Sequence, residues 1–133
     1  MSERFRVASA IETTAMPWGT RRWVSHPPST GTKRMTVIEV SFNPGEAHSF
    51  HYHPGQEEVI YVLAGRVEQW VEREKRLLGP GDAVFIPADV VHASFNTGAD
   101  PATILAILGP SVGEEGYAAV EVGDQEPWAS LRR

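Results

Sequence analysis

Residues 45–65 read GEAHSFHYHPGQEEVIYVLAG, and the placing of polar side chains along this stretch decides how the rest of the chain is read. On an extended strand successive side chains point to opposite faces, so His51 and His53 share a face with Ala47 and Ser49. Both imidazoles can then reach one point. His48 has the other parity, with Phe50 and Tyr52, and a regular strand leaves it outside as a surface histidine. Pro54-Gly55-Gln56-Glu57 has the composition of a tight turn, after which a new strand opens at Glu58. A hairpin there sets Glu58 beside the histidine pair, on the face it shares with Ile60 and Val62. A carboxylate between apolar strand positions needs a partner, because an unpaired buried charge is costly. Two neutral imidazoles, the carboxylate and a divalent cation would compensate one another; hydrogen-bonded surface histidines are the alternative.

Strand signals recur on either side of this stretch, as β-branched and aromatic runs bounded by turn residues. Met35 to Phe42 is closed by Asn43-Pro44-Gly45-Glu46, Glu58 to Ala64 by Gly65, Ala83 to Ile86 by Pro87, and Thr103 to Leu108 by Gly109-Pro110. Between Val67 and Leu78 a helix competes, since Glu68, Glu72 and Arg76 are spaced i, i+4. The alternation of Val67, Gln69 and Val71 with Glu68, Trp70 and Glu72 favours instead two strands turning near Arg73-Glu74-Lys75. The ends are less patterned. Residues 1–34 are expected as arms or edge strands, and Val120 and Val122 as a last strand in the segment from Ser111. Many short strands without intervening helices point to an all-β sandwich or barrel.

Composition narrows the chemistry. A length of 133 residues predicts one domain. The net charge of −5 argues against nucleic acid and basic membrane anchoring, and the absence of cysteine excludes disulfides, thiolate catalysis and Cys-based metal sites. Any metal must be held by His and carboxylate. Met1 to Arg6 leads into no apolar signal core, and the longest clean apolar run, Ile104 to Leu108, is far short of the roughly 18 residues of a membrane span. A soluble, cytoplasmic protein without nucleic-acid or membrane partners is expected.

Counting from Gly45, five residues lead to His51, His53 follows, four residues separate it from Glu58, and six more lead to Gly65. This resembles the first motif of the cupin superfamily. Gly81, Pro87, His92 and Asn96 fall in register with the second cupin motif, with Asp89 standing where that motif has glycine. Asp tolerates positive φ better than most residues, so the turn can be kept. The resemblance implies a single-domain cupin β-barrel of the jelly-roll type, the double-stranded β-helix. Residues 1–34 would be an N-terminal arm, 35–110 the conserved barrel and 111–133 a C-terminal extension. It further implies His51, His53, Glu58 and His92 as ligands of one divalent transition metal per chain.

Three imidazoles and a carboxylate suit Fe, Mn, Ni, Co or Zn. The implied function is a metalloenzyme, dioxygenase-like, acting on a small oxygen-rich metabolite. A metal-dependent isomerase or decarboxylase and a non-catalytic ligand-binding or sensing barrel are the alternatives. No catalytic base stands out; Gln56, Glu57 and Gln69 are the nearby polar candidates. A homodimer and a small-molecule substrate are the expected partners. Ile60, Val62 and Phe85 are expected around the metal, and Tyr61 outside it. Asn96 is expected to hydrogen bond within a turn. Trp18, Trp23, Trp70 and Trp128 are read as packing or interface residues, with Trp70 also a candidate to line a pocket.

Overall fold

The computed structural model describes residues 3–132. Eleven strands are present among them. In chain order they are β1 (Thr14–Met16), β2 (Gly19–Ser25), β3 (Thr36–Phe42), β4 (Ala47–Tyr52), β5 (Glu57–Ala64) and β6 (Val67–Val71). They continue as β7 (Glu74–Leu78), β8 (Ala83–Ile86), β9 (His92–Phe95), β10 (Ala102–Gly109) and β11 (Val120–Glu121). One short helix, α1 (Pro27–Thr30), separates β2 from β3. The strands form a six-stranded sheet ordered β1-β2-β3-β10-β5-β8 and a five-stranded sheet ordered β11-β4-β9-β6-β7, with every pairing antiparallel. The double-stranded β-helix implied by the sequence is the fold.

Alternation in sequence becomes alternation in burial. Along β10, Ala102, Ile104, Ala106 and Leu108 are buried while the residues between them are partly exposed. Phe42, Ile60, Val62, Val67, Ile86 and Ile104 meet between the sheets as the principal core. Each such side chain stabilises the fold by about 1.5–3 kcal/mol relative to exposure. The outer face of the smaller sheet is covered as well, where Phe50, Trp70, Ala93 and Val122 pack beneath Trp128 and Leu131. Trp70 is thus a packing residue, its indole N–H donating to Glu68 at 2.8 Å.

The segment between Val67 and Leu78 is a hairpin, with Glu72 at φ 54° in its turn. The arm supplies β1 and β2 at the edge of the larger sheet, and Val120 begins β11. Asp89 has φ 67°, the left-handed conformation for which Asp substitutes for glycine, and its carboxylate accepts from the Gly55 N–H at 3.0 Å. Phe85 departs from expectation. It pairs with Val59 on the outward face of the larger sheet and is 55% exposed, because Val84 and Ile86 carry the inward parity of β8. With Tyr61 and Leu63 it makes that outer face apolar.

Candidate metal centre

The inner faces of the two sheets enclose a cavity of about 410 Å³ lined by His51, His53 and Glu58, with His92 set against Glu58 beside it. His51 comes from β4, His53 follows that strand directly, Glu58 comes from β5 and His92 opens β9. The registers explain the convergence. His51 pairs with His92 across β4 and β9, and Glu58 stands on the strand that follows the turn after His53. All four side chains are at least nine-tenths buried.

Each imidazole is oriented by a backbone carbonyl. His51 Nδ1 lies 2.6 Å from the Ser49 carbonyl, His53 Nδ1 2.8 Å from that of Ala118 and His92 Nδ1 2.9 Å from that of Val90. A carbonyl can only accept, so all three rings donate from Nδ1, and in the neutral form Nε2 carries a lone pair. The candidate ligating nitrogens of the three histidines lie within 4.8 Å of one another. Glu58 Oε1 stands 3.1 Å from His53 Nε2 and 2.9 Å from His92 Nε2. Yet Glu58 Oε1 and His92 Nε2 are both buried without an aligned hydrogen bond. A buried unsatisfied group costs about 1–3 kcal/mol and more when charged. A cation between Nε2 lone pairs and a carboxylate removes that cost for all of them, so the residues present fit a metal.

The buried groups are shifted in different directions. Burial, with His48 and His92 nearby, holds His51 well below its usual 6.5 and hence neutral. Burial would also depress His53, but the Glu58 carboxylate and the Ala118 carbonyl outweigh it and raise this histidine. Burial works to raise Glu58, whereas contact with His53 and His92 brings it down to about 2.

Several residues at the chamber were placed elsewhere by sequence. His48 is not outside: it lines the cavity, stacked on His51 with ring centroids 3.4 Å apart. The cause is an irregularity in β4, where three residue steps from His48 to His51 face two from Ser94 to His92. A bulge of this kind redirects a side chain and breaks the period of two. His48 Nε2 lies 3.0 Å from Glu121 Oε2, a pair that also borders the chamber. Trp18 and Trp23 line it too, together with Arg21 and Tyr117. On β2, Gly19, Arg21 and Trp23 pair with Phe42, Val40 and Ile38 and share their inward face. That parity is present in the arm sequence, but Tyr117 sits outside any strand and has no comparable signal.

The polar candidates near Glu58 have other duties. Gln56 is buried and braces the C-terminal segment, donating to the carbonyls of Pro110 and Gly116 at 2.8 and 3.0 Å and accepting from Ala118 N–H at 3.3 Å. Gln69 accepts from Ser94, and Glu57 is exposed. Asn96 closes its turn through Gly98 and Asp100 and also reaches the Phe42 carbonyl.

A two-sheet antiparallel barrel with three carbonyl-oriented histidines and one glutamate facing inward is the architecture of a cupin. Residues 38–108 match the cupin domain family, and the chain belongs to it. Among curated proteins the chain is similar to protein SchB of Streptomyces halstedii, 43% identical over 67 residues that make up 50% of this chain and 49% of that protein. It is also similar to polyketide synthase CurC of Streptomyces cyaneus, 39% identical over 67 residues, 50% of this chain and 44% of that protein. The chain thus spans about half the length of these relatives. Among solved structures it is similar to KdgF from Halomonas sp., with a TM-score of 0.71, 26% identity, and coverage of 80% of this chain and 94% of that one. No helix among the described residues is long and apolar enough to cross a membrane.

Proposed function

We propose that the chain is a metalloenzyme that takes a small oxygen-rich metabolite into its chamber, with dioxygenation as the leading chemistry. The observation that carries this reading is the set of three buried imidazoles, each fixed at Nδ1 by a carbonyl so that Nε2 faces the unsatisfied Glu58 oxygen. His51, His53, Glu58 and His92 would hold one Fe, Mn, Ni, Co or Zn ion. Such an ion, when bound, supplies Lewis-acid polarisation or, in the case of iron, activation of O₂.

The chain's own residues do the rest. Trp18, Phe42 and Ile104 give the chamber apolar walls, and burial with the nearby Glu58 and Glu121 charges holds Tyr117 as a neutral hydroxyl donor. The description of CurC as a polyketide synthase fits a substrate rich in oxygen, since polyketides carry repeated carbonyls and hydroxyls. One observation favours a second reading, metal-assisted isomerisation or decarboxylation. The His48–Glu121 pair stands beside the imidazole cluster and would move a proton, which these reactions need.

Elemental mass spectrometry on untagged protein purified without chelators, followed by an oxygen electrode on the iron-loaded form with oxygen-rich candidates, tests the reading. Bound metal with substrate-dependent O₂ uptake is the expected result. Turnover without O₂ uptake transfers the function to the second reading. A ligand recovered unchanged under every metal leaves a binding barrel and overturns the enzyme.

A further inference from the structure

The wall of the chamber opposite β4 carries a charge without a carboxylate partner among the described residues. Arg21 lines the cavity, and its Nε is fully buried without a hydrogen-bond acceptor. Among the described residues no carboxylate lies within ion-pairing distance of its guanidinium. The two carboxylates that border the chamber stand against other groups, Glu58 at 3.1 and 2.9 Å from His53 and His92 and Glu121 at 3.0 Å from His48. The neighbouring Arg22 has the opposite parity and is paired with Glu39 at 3.1 Å. Two adjacent arginines on one strand are therefore treated differently, and the inward one is left with free donors.

Arg21 is nevertheless held in place. Its guanidinium carbon lies 5.1 Å from the centroid of the Trp23 ring, and Trp23 is itself stacked on His26 at 4.5 Å with an interplanar angle of 9°. An arginine positioned on an aromatic ring keeps its N–H fork available, and arginine does not lose its charge. Trp23 also meets the edge of Tyr117 at 6.3 Å, and Tyr117 lies 5.0 Å from the His53 ring. The guanidinium and the imidazole cluster thus face one chamber from walls joined by aromatic rings. A cavity of about 410 Å³ is at the small end of the roughly 300–1,000 Å³ usual for ligand sites.

We propose that Arg21 is the anion-anchoring residue of this chamber, and that its ligand is a planar, oxygen-bearing monoanion that offers a carboxylate or enolate oxygen. The anionic oxygens accept from the Arg21 N–H groups, the body lies among Trp18, Trp23 and Tyr117, and the far end faces the histidines. A single cation among apolar walls matches one delocalised negative charge and disfavours a phosphate dianion. The assignment deepens the proposed function by naming the substrate class of the same site.

The probes are benzoate and its neutral isostere benzamide, titrated into metal-free and zinc-loaded protein. The readouts are the Arg21 Nε–H resonance, assigned by its loss in Arg21→Lys, and, for the parent and every variant, the affinity from isothermal titration calorimetry. In the metal-free protein the expected result is a saturable benzoate-dependent shift of this resonance, and benzoate binding at least about tenfold tighter than benzamide binding. Arg21→Lys and Arg21→Met, checked by circular dichroism for folding, should bring benzoate down to the benzamide level while zinc stoichiometry stays as in the parent. An unmoved resonance, or equal binding of the two probes, overturns the proposal. Because zinc content is read separately, a chain that binds no metal but shows the benzoate shift removes the metalloenzyme and keeps the anchor. Zinc binding without the shift does the reverse.

Discussion

On the β4 side of the chamber every candidate ligand imidazole rests its Nδ1 on a backbone carbonyl, at 2.6 to 2.9 Å, whereas on β2 Arg21 rests on an indole ring and leaves Nε without an acceptor. One wall is complete before any small molecule arrives, apart from a cation. The other is finished by what enters. The difference lies in what holds each wall: backbone carbonyls cannot be mutated away, so the imidazole wall is tied to the barrel itself, while the arm wall depends on side chains alone.

The strongest way to break this contrast is His92→Ala. It removes an imidazole from the cluster, so metal content measured by elemental mass spectrometry should fall from roughly one equivalent to none, while the response of Arg21 to benzoate in metal-free protein survives. Loss of both would mean that the two walls are not separable. A smaller effect is expected from Gln56→Ala, which removes a side chain bonded to none of the candidate ligands but releases the segment whose Ala118 carbonyl orients His53. Metal affinity should weaken by about 10–100-fold in a zinc titration, the usual cost of disturbing a ligand's supporting hydrogen bond.

The smallest effect is on the stability of the metal-free protein with pH. His51 is held well below 6.5, so on acidification from 6.5 the unfolded chain takes up a proton that the folded one refuses, and stability falls. Glu58, brought from 4.5 to about 2, adds stability that is present above 4.5 and lost as pH falls through about 2. His53, being raised, acts in the opposite sense, its contribution fully present below 6.5 and lost as pH rises through its folded value. Urea unfolding midpoints should therefore decline below about pH 6.5, and His51→Gln should flatten the first part of that decline.

Sequence set His51, His53 and Glu58 on one face and gave no such grouping for the arm wall, for the same physical reason. Along β4 and β5 the period of two separates His51, His53 and Glu58 from their neighbours, because one face is buried and the other is not. His92 lies on the next strand of the sheet, and spacing along the chain could not bring it beside His51; motif resemblance supplied it. On β2 the inward set Gly19, Arg21 and Trp23 alternates with Thr20, Arg22 and Val24, and both sets mix polar with apolar. Alternation carries no contrast there. His48 was misplaced because the bulge in β4 cancels the regularity on which parity depends, and Phe85 because its aromatic character outweighed its outward position.

The carbonyl that orients His53 belongs to Ala118, 65 residues further along the chain. At about 5–20 residues per second of synthesis, that delay is about 3–13 s. During that interval Glu58 and His92 are added while His53 still lacks its orienting contact. The orientation of His53 therefore arrives only once the chain has been made as far as Ala118, later than any of the four side chains it stands among.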